Sequence, residues 1–394
     1  MALLDMDCRI AVDLRFLRKI KMKLMTFEME RLQSTWENRV RYNLSESSVH
    51  PMSVRELMPD PDFLAQLLDA PLIYNQSNGT DELRATIATQ YPGATLDNVE
   101  VTNGGSEANF VSIYSMLEPG DEVLIILPNY QQIWGLTQSL GMVVREVRLC
   151  EERGWALDLG ALDASVSART RMIVVCNPNN PTGAILTPRE MEAIVSAAAR
   201  SGAWILADEI YQGSERSGEM TPTFYGKYDR VIITNGLSKA YGLPGLRIGW
   251  IVAPRDIIAK MWSYHDYTTI APGTLSDTLA RIALAPEGRA RCLERTRGIC
   301  RNNFPLFRSW MEARGTLFRM VDPKAGAIAY VRYNLAANST QIMQRLLKEK
   351  SVLIVPGDHF GMDNYLRIGY GPPPEYLKEA LDQINEILES IRRS

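Results

Sequence analysis

The sequence predicts an α/β protein, with a doubly wound, mainly parallel sheet in a large domain and a smaller α+β domain. From about residue 100 to 255, short apolar runs alternate with segments of helical periodicity. This alternation is typical of a sheet whose two faces are covered by helices. From about residue 286 onward, long amphipathic helices predominate and a few strands separate them. That change of pattern indicates a second domain.

Six apolar runs are predicted strands of the large sheet, because each is short and almost continuously hydrophobic. They lie at residues 122–127, 142–147, 172–176, 204–207, 231–234 and 248–252. Residues 188–201 form a predicted helix, since Thr187, Pro188 and Glu190 make a typical helix start.

The C-terminal pattern predicts helices and strands in mixed order. The predicted helices cover residues 289–313, 339–348 and 375–392, and the predicted strands lie near 327–332, 352–355 and 365–369. The resulting division is an N-terminal extension at 1–24, a small domain at 25–71 and 286–394, and a large domain at 72–285.

Composition excludes several classes of protein. The chain has 394 residues with 43 Lys and Arg against 46 Asp and Glu, so no basic excess indicates a nucleic-acid partner. No apolar run is long enough to cross a membrane, and the first 24 residues lack the uninterrupted apolar stretch of a secretory signal. Five scattered cysteines and three histidines predict no metal site. We therefore expect a cytoplasmic protein without a membrane or nucleic-acid partner.

The most informative segment, at residues 235–249, reads Asn-Gly-Leu-Ser-Lys-Ala-Tyr-Gly-Leu-Pro-Gly-Leu-Arg-Ile-Gly. It places Lys239 in a glycine-rich stretch after a predicted strand, with Arg247 eight residues further on. A lysine in a partly dry site can act as an amine nucleophile toward an aldehyde. The planar fork of an arginine suits a phosphate. Aldehyde and phosphate together describe pyridoxal 5′-phosphate (PLP), although an isolated Ser-Lys pair is more often an ordinary surface loop.

Five further motifs have chemistry that suits the same cofactor. They are Asn-Gly-Gly-Ser-Glu-Ala at 103–108, Pro-Asn-Tyr at 128–130, Asn-Pro-Asn-Asn-Pro-Thr-Gly at 177–183, Asp-Glu-Ile-Tyr at 208–211 and Tyr-Leu-Arg-Ile-Gly at 365–369. Glycines before a helix let free backbone N–H groups bind an anion. A carboxylate against a pyridine nitrogen keeps the ring protonated. Taken singly, such motifs also occur as common turns, core tyrosines, helix caps or exposed strand arginines.

In their order and spacing these motifs resemble the class I/II aminotransferases of the PLP fold-type I superfamily, from about residue 40 to the end of the chain. The resemblance implies PLP as cofactor and an L-amino acid and a 2-oxo acid as substrates. The residues to which it assigns a role are Lys239, Asp208, Tyr211, Gly105, Ser106, Tyr130, Asn180, Ser238, Arg247, Tyr74 and Arg367.

The resemblance implies one group of roles at the cofactor ring. Lys239 would form a Schiff base with PLP and then act as general base. Asp208 would pair with the pyridine nitrogen, and Tyr130 would stack on the ring. Asn180 and Tyr211 would bind the ring hydroxyl oxygen.

A second group of roles concerns the phosphate and the substrate. The resemblance places Gly105, Ser106, Ser238 and Arg247 at the phosphate. Tyr74 would reach the phosphate of a neighbouring subunit, which implies a homodimer with shared active sites. The α-carboxylate of the substrate would bind Arg367, next to Asn180.

One position departs from the family pattern. Many members carry a serine or threonine three residues before the lysine as a phosphate ligand, and this chain has Gly236 there. The departure concerns the details of phosphate binding, which would then depend more on Ser238, Ser106 and Arg247.

The implied activity is transfer of an amino group between an L-amino acid and a 2-oxo acid, with ping-pong kinetics. A narrower resemblance to enzymes of the capreomycidine synthase type lies in Tyr-Gln-Gln at 130–132, the run from Ser238 to Arg247 and Asp-Tyr-Thr-Thr at 266–269. Elimination or cyclisation on the same fold, or C–S lyase activity, is therefore the alternative. Residues 262–272 hold no arginine or lysine, which disfavours a dicarboxylic substrate. Tyr264 and Tyr267 would suit an apolar or aromatic substrate, and Asp266 a basic one.

Overall fold

The computed structural model describes residues 24–58 and 61–393. Of the predicted N-terminal extension, residues 1–23 lie outside the described residues. Within the two described ranges the strands are β1 (Tyr42–Asn43), β2 (Val99–Thr102), β3 (Glu122–Leu127), β4 (Val143–Cys150), β5 (Ala156–Leu157), β6 (Thr170–Cys176), β7 (Trp204–Asp208), β8 (Val231–Gly236), β9 (Gly249–Val252), β10 (Phe318–Met320), β11 (Ile328–Tyr333), β12 (Val352–Leu353), β13 (Val355–Pro356) and β14 (Tyr365–Gly369).

The α-helices of the same ranges precede, separate and follow these strands. They are α1 (Glu28–Trp36), α2 (Val54–Leu57), α3 (Pro61–Leu68), α4 (Asp81–Ala88), α5 (Gly105–Met116), α6 (Gln131–Ser139), α7 (Leu159–Ser165), α8 (Pro188–Ser201), α9 (Arg255–His265), α10 (Thr274–Leu284), α11 (Pro286–Glu312), α12 (Ser339–Arg345) and α13 (Pro374–Arg393).

The large sheet has the strand order β2-β9-β8-β7-β6-β3-β4-β5. Strands β4, β3, β6, β7 and β8 are parallel to one another. Strand β9 runs antiparallel to both of its neighbours, and the two-residue β5 is antiparallel to β4. Every residue of β3 and β8 is buried, as expected for strands covered by helices on both faces. The predicted fold class is confirmed.

A smaller antiparallel sheet has the order β10-β11-β14-β13, and β1 pairs in parallel with β12. A single strand was expected at 352–355, but the chain passes from one sheet to the other at Ile354, so that β12 and β13 have different partners. Both strands are fully buried, so the continuous apolar pattern could not show where one strand ends and the next begins. The predicted helix at 339–348 is α-helical to Arg345 and continues as a π-helical turn, Leu346–Lys350.

Helix α8 has the predicted bounds because its ends are defined locally. The Thr187 hydroxyl accepts a hydrogen bond from the Glu190 backbone N–H, and the Glu190 carboxylate accepts one from the Thr187 N–H. This capping box satisfies two backbone donors at the helix start. Gly202 ends the helix in a left-handed conformation with φ of 69°.

Hydrophobic cores cover both faces of the large sheet, and a separate core lies under the small sheet. The separate core joins Tyr42, Leu44 and Val49 to α11, α12 and α13. Met29 and Leu57 pack instead with the core of the large sheet. The proposed domain boundaries stay a prediction. Between the two sheets, the carboxyl ends of β6, β7 and β8 face Arg367 of β14 across a cavity.

Candidate active site

The cavity has a volume of about 380 Å³ and receives residues from both parts of the fold. All of the predicted site residues except Tyr74 line it. Its lining consists of Met29, Glu30, Gln33, Glu37, Glu46, Ser47, Gly105, Ser106, Asn109, Tyr130, Cys176, Asn180, Asp208, Ile210, Tyr211, Ser238, Lys239, Pro244, Arg247 and Arg367.

Lys239 lies three residues beyond the end of the parallel strand β8, and its side chain lines the cavity. Its Nζ is 3.6 Å from Oε2 of Glu46, and 25% of the lysine side chain is exposed. The ammonium group of Lys239 lowers the pKa of Glu46, against the opposing effect of burial. The lysine is thus held next to a carboxylate and remains accessible from the cavity.

Asp208 is the last residue of β7 and is buried. Its carboxylate accepts hydrogen bonds from Asn109 Nδ2 at 3.2 Å and from the Ile210 backbone N–H at 3.1 Å. The amide of Asn109 is oriented by Thr234, whose hydroxyl donates to Asn109 Oδ1 at 2.7 Å. Burial raises the pKa of Asp208 to about 6, because charge is disfavoured away from water. A cation placed against this carboxylate would stabilise it.

Arg367 is 2% exposed and spans the cavity wall formed by the small sheet. Its Nη1 donates to Asn180 Oδ1 at 2.9 Å, and its Nη2 donates to the Ser45 carbonyl oxygen at 2.6 Å. Its Nε is buried and has no hydrogen-bond partner among the described residues. A buried donor of this kind is costly unless a ligand accepts its proton.

Gly104 and Gly105, at the amino end of α5, lie next to Arg247 and are called the glycine cup below. Gly104 has φ of 94°, and a Cβ atom there would overlap the Arg247 guanidinium. Arg247 donates from Nη1 to the Pro244 carbonyl oxygen at 3.0 Å and from Nη2 to the Asn103 carbonyl oxygen at 3.5 Å. The amino end of α5 and a guanidinium therefore lie next to each other, an arrangement that suits an anion.

Gly236, which departs from the family pattern, has a steric explanation. A Cβ atom at this position would lie 2.8 Å from the Ile248 carbonyl oxygen and 3.0 Å from Gly249 Cα. The backbones of β8 and β9 approach too closely for a serine or threonine at this point.

Two tyrosines, Tyr130 and Tyr211, also line the cavity. Tyr211 donates from its hydroxyl to Ser47 Oγ at 2.8 Å, and Tyr130 donates to Glu30 Oε1 at 2.8 Å. Burial raises the pKa of both phenols above the usual value, so both are hydrogen-bond donors at neutral pH. Tyr74 lies outside this cavity and is 85% exposed.

The segment at 262–272 contributes no lining residue to this cavity. His265 is fully buried, with Nδ1 2.8 Å from Glu100 and Nε2 3.3 Å from Glu107. Burial opposes its charge, but the attraction of the two neighbouring carboxylates outweighs burial and raises the pKa of His265 to about 9. This imidazolium is committed to a structural network. Tyr267, by contrast, is 91% exposed.

Sequence reasoning missed the contribution of the N-terminal segment. It assigned no role to Glu30, Glu37, Glu46 or Ser47, all of which line the cavity. One available signal was the spacing of seven residues between Glu30 and Glu37, which places both on one face of a helix. Asn109 was also missed, although it follows Gly105 by one helical turn.

The residues of the cavity fit PLP. The glycine cup and Arg247 suit a phosphate, the buried Asp208 carboxylate suits a protonated ring nitrogen, and Lys239 suits an aldehyde. The unpartnered Nε of Arg367 leaves a donor for a carboxylate next to the ring position. Fold and site together define a PLP-dependent enzyme of fold-type I.

Comparison with known proteins identifies the family. The family model "Aminotransferase class I and II" matches residues 42–384, and the chain belongs to that family. Capreomycidine synthase of Streptomyces vinaceus is 32% identical over 354 residues, which make up 89% of this chain and 90% of that enzyme.

Solved structures agree with this assignment. A PLP-dependent aminotransferase from Streptococcus suis has a TM-score of 0.88 at 33% identity, over 94% of this chain and 99% of its own. The PLP-dependent cyclase OrfR has a TM-score of 0.84 at 26% identity, over 93% of this chain and 98% of its own. The predicted family is confirmed, and PLP is the cofactor. In the part of the chain that the structure describes, no helix has the length and apolar character needed to cross a membrane.

Proposed function

We propose that the protein is an aminotransferase that moves an amino group between an L-amino acid and a 2-oxo acid. The observation that carries this proposal is that one cavity holds Lys239, Asp208 and Arg367, whose Nε has no hydrogen-bond partner within residues 24–58 and 61–393. A lysine alone would support many reactions of an aldehyde cofactor. The additional buried guanidinium favours substrates with a carboxylate next to the reacting carbon.

Each residue has a chemical task in this proposal. Arg367 binds the α-carboxylate as a bidentate pair and so orients the Cα–H bond. Lys239 would hold the cofactor aldehyde through Nζ, and once the substrate amine has displaced it, the freed Nζ would accept the Cα proton. Asp208, fixed by Asn109, keeps the ring nitrogen protonated. When bound, PLP supplies an electron sink for the negative charge that develops at Cα.

We also propose a homodimer in the cytoplasm. Tyr74 lies in an exposed apolar stretch with Leu72 and Ile73, and Tyr267 is exposed as well. The Thr274 hydroxyl donates to the Ile73 carbonyl oxygen, so the stretch at 72–74 lies next to the start of α10. An apolar surface of this kind is typical of a subunit interface. In the dimer, Tyr74 would reach the cofactor phosphate of the partner.

Product analysis of the purified enzyme tests the activity. With PLP, an amino acid panel and a 2-oxo acid, mass spectrometry should detect the oxo acid of the donor and the amino acid of the acceptor. Lys239→Ala should abolish both products and the visible absorbance of the bound cofactor. Lys260→Ala, at an exposed lysine of α9, is the matched control. Full activity of the Lys239 variant would show that the assignment is wrong.

Cyclisation or elimination is the second candidate. Its support is the 32% identity with capreomycidine synthase and the structural similarity to a PLP-dependent cyclase. The same product analysis distinguishes the two, because this candidate forms a product that has lost water, ammonia or a thiol and needs no oxo acid. Product formed at full rate without any acceptor would replace transamination by this second activity.

A further inference from the structure

Three carboxylates of the cavity have no task in the reaction described above. Glu30 and Glu37 come from α1 and its C-terminal cap, and Glu46 follows β1. All three line the same cavity as Lys239 and Arg367. Carboxylates in a half-buried site are costly without a compensating cation.

The cations of the cavity are already committed. Arg247 lies at the glycine cup and suits the phosphate, and Arg367 suits the α-carboxylate. Glu46 forms its ion pair with Lys239, and this lysine is the residue that holds the cofactor. In the described parts of the chain, no ion pair joins Glu30 or Glu37 to a lysine or arginine. The occupied site would therefore hold an excess of negative charge.

The three carboxylates act on one another. Burial raises the pKa of Glu37, the neighbouring charges of Glu46 and Glu30 and a hydrogen bond with Glu46 raise it further, and the Lys239 ammonium only partly opposes them. The Tyr130 hydroxyl donates one hydrogen bond to Glu30, which leaves the other oxygen of that carboxylate available. Like charges this close favour the binding of a cation between them.

An independent observation shows that the cavity is built for a ligand with a carboxylate. Arg367 is 2% exposed, and its Nε has no hydrogen-bond partner among the residues described. A ligand that satisfies both features carries a carboxylate at one end and a positive charge at the other. A dicarboxylic amino acid would bring a second negative charge to the acidic wall.

We propose that Glu30, Glu37 and Glu46 form a side-chain subsite for an L-amino acid with a guanidinium or ammonium group. The inference rests on the proposed function, since it assumes an amino acid substrate at Arg367. A guanidinium is favoured, because its planar fork can donate to two carboxylate oxygens at once. The residues that select the substrate would then come largely from α1 and not from residues 262–272.

Calorimetric titration of the PLP-loaded enzyme with L-arginine and L-citrulline tests the subsite. Citrulline has nearly the same shape as arginine and lacks the charge, so arginine should bind more tightly by roughly tenfold or more. Glu37→Gln should reduce arginine affinity roughly tenfold and leave citrulline affinity unchanged. Glu30→Gln is the second variant, and its amide oxygen can still accept the Tyr130 hydrogen bond. Glu28→Gln, which removes a charge from the same helix away from the cavity, is the matched control.

The possible outcomes distinguish a failure of the subsite from a failure of the proposed function. Equal binding of arginine and citrulline, or arginine binding that is insensitive to both variants, would overturn the subsite and leave the proposed function standing. Tighter binding of L-glutamate would also overturn the subsite. Failure of every amino acid to bind the loaded enzyme would overturn the proposed function and the subsite with it.

Discussion

Replacing Arg367 with lysine tests whether this guanidinium binds the substrate carboxylate. In the structure it already donates from Nη1 to Asn180 and from Nη2 to the Ser45 carbonyl oxygen, and no described residue accepts a hydrogen bond from its Nε. A lysine ammonium is a point charge and cannot keep both contacts while it also binds a carboxylate with a planar fork. At least one charge-assisted hydrogen bond should be lost.

Such a bond contributes about 2 kcal/mol, which corresponds to a roughly 30-fold weaker affinity. Arg367→Lys should therefore raise the dissociation constant of the preferred amino acid roughly 30-fold, and kcat/KM should fall by at least as much. The assay is calorimetric titration of the PLP-loaded enzyme, with steady-state rates measured alongside.

The decarboxylated amine of the same substrate provides the critical comparison. Because it lacks the α-carboxylate, its affinity should be nearly equal for the wild type and for Arg367→Lys. Arg332→Lys, a substitution in strand β11 at a side chain that contacts Glu151, controls for general effects of the exchange. Equal losses for the amino acid and the amine, or a loss below about threefold for the amino acid, would refute the role of Arg367.

Three further predictions concern the cofactor site and its support. Burial raises the pKa of Asp208 to about 6, so its carboxylate ionises as the pH rises through that value, and PLP affinity of the apoprotein should increase roughly tenfold from about pH 5 to about pH 7. This dependence should disappear in Asp208→Asn when PLP binding is titrated by absorbance. His265→Gln leaves two buried carboxylates without their cation and should cost about 3–5 kcal/mol of stability, seen as a lower thermal midpoint. Since the pKa of His265 is raised to about 9, the stabilisation in the wild type is complete below about pH 6.5 and is lost as the pH rises through 9. Gly104→Ala should displace the Arg247 guanidinium and weaken PLP binding roughly tenfold, measured by the same absorbance titration.

The His265 and Gly104 predictions each have a matched control. His50→Gln removes a histidine that contacts a backbone carbonyl oxygen, and its thermal midpoint should change much less. A similar decrease in both variants would contradict the ion-pair argument. Gly93→Ala also introduces a Cβ at a glycine with positive φ, and among the described residues no heavy atom beyond its chain neighbours lies within 4 Å of that Cβ. If both alanine variants bind PLP as tightly as the wild type, the proposed phosphate site at Gly104 and Arg247 is wrong.

Much of the fold could be predicted from local patterns. Strand β3 and helix α8 have the predicted bounds, because an apolar run and a capping box depend on neighbouring residues in the chain. The motifs around Lys239 and Asp208 could also be recognised from order and spacing, since each is a short segment at the end of a strand.

Other features depend on contacts between distant segments, and no local pattern contained them. His265 lies in the segment at 262–272, and nothing in the local sequence indicates that Glu100 and Glu107 enclose it. The chain also changes sheets at Ile354, so that the strands on either side, β12 and β13, pair with different partners.

The sequence by itself determined the fold class, the family and the cofactor of this protein, because these follow from periodicity and from short motifs. Only the tertiary structure decided which charges share the cavity. Glu30, Glu37 and Glu46 lie far from Lys239 and Arg367 along the chain, and folding brings all five side chains to one cavity. Burial and charge pairing depend on distance in space, and that distance is set by the packing of Met29 of α1 in the core of the large sheet and by the pairing of β1 with β12.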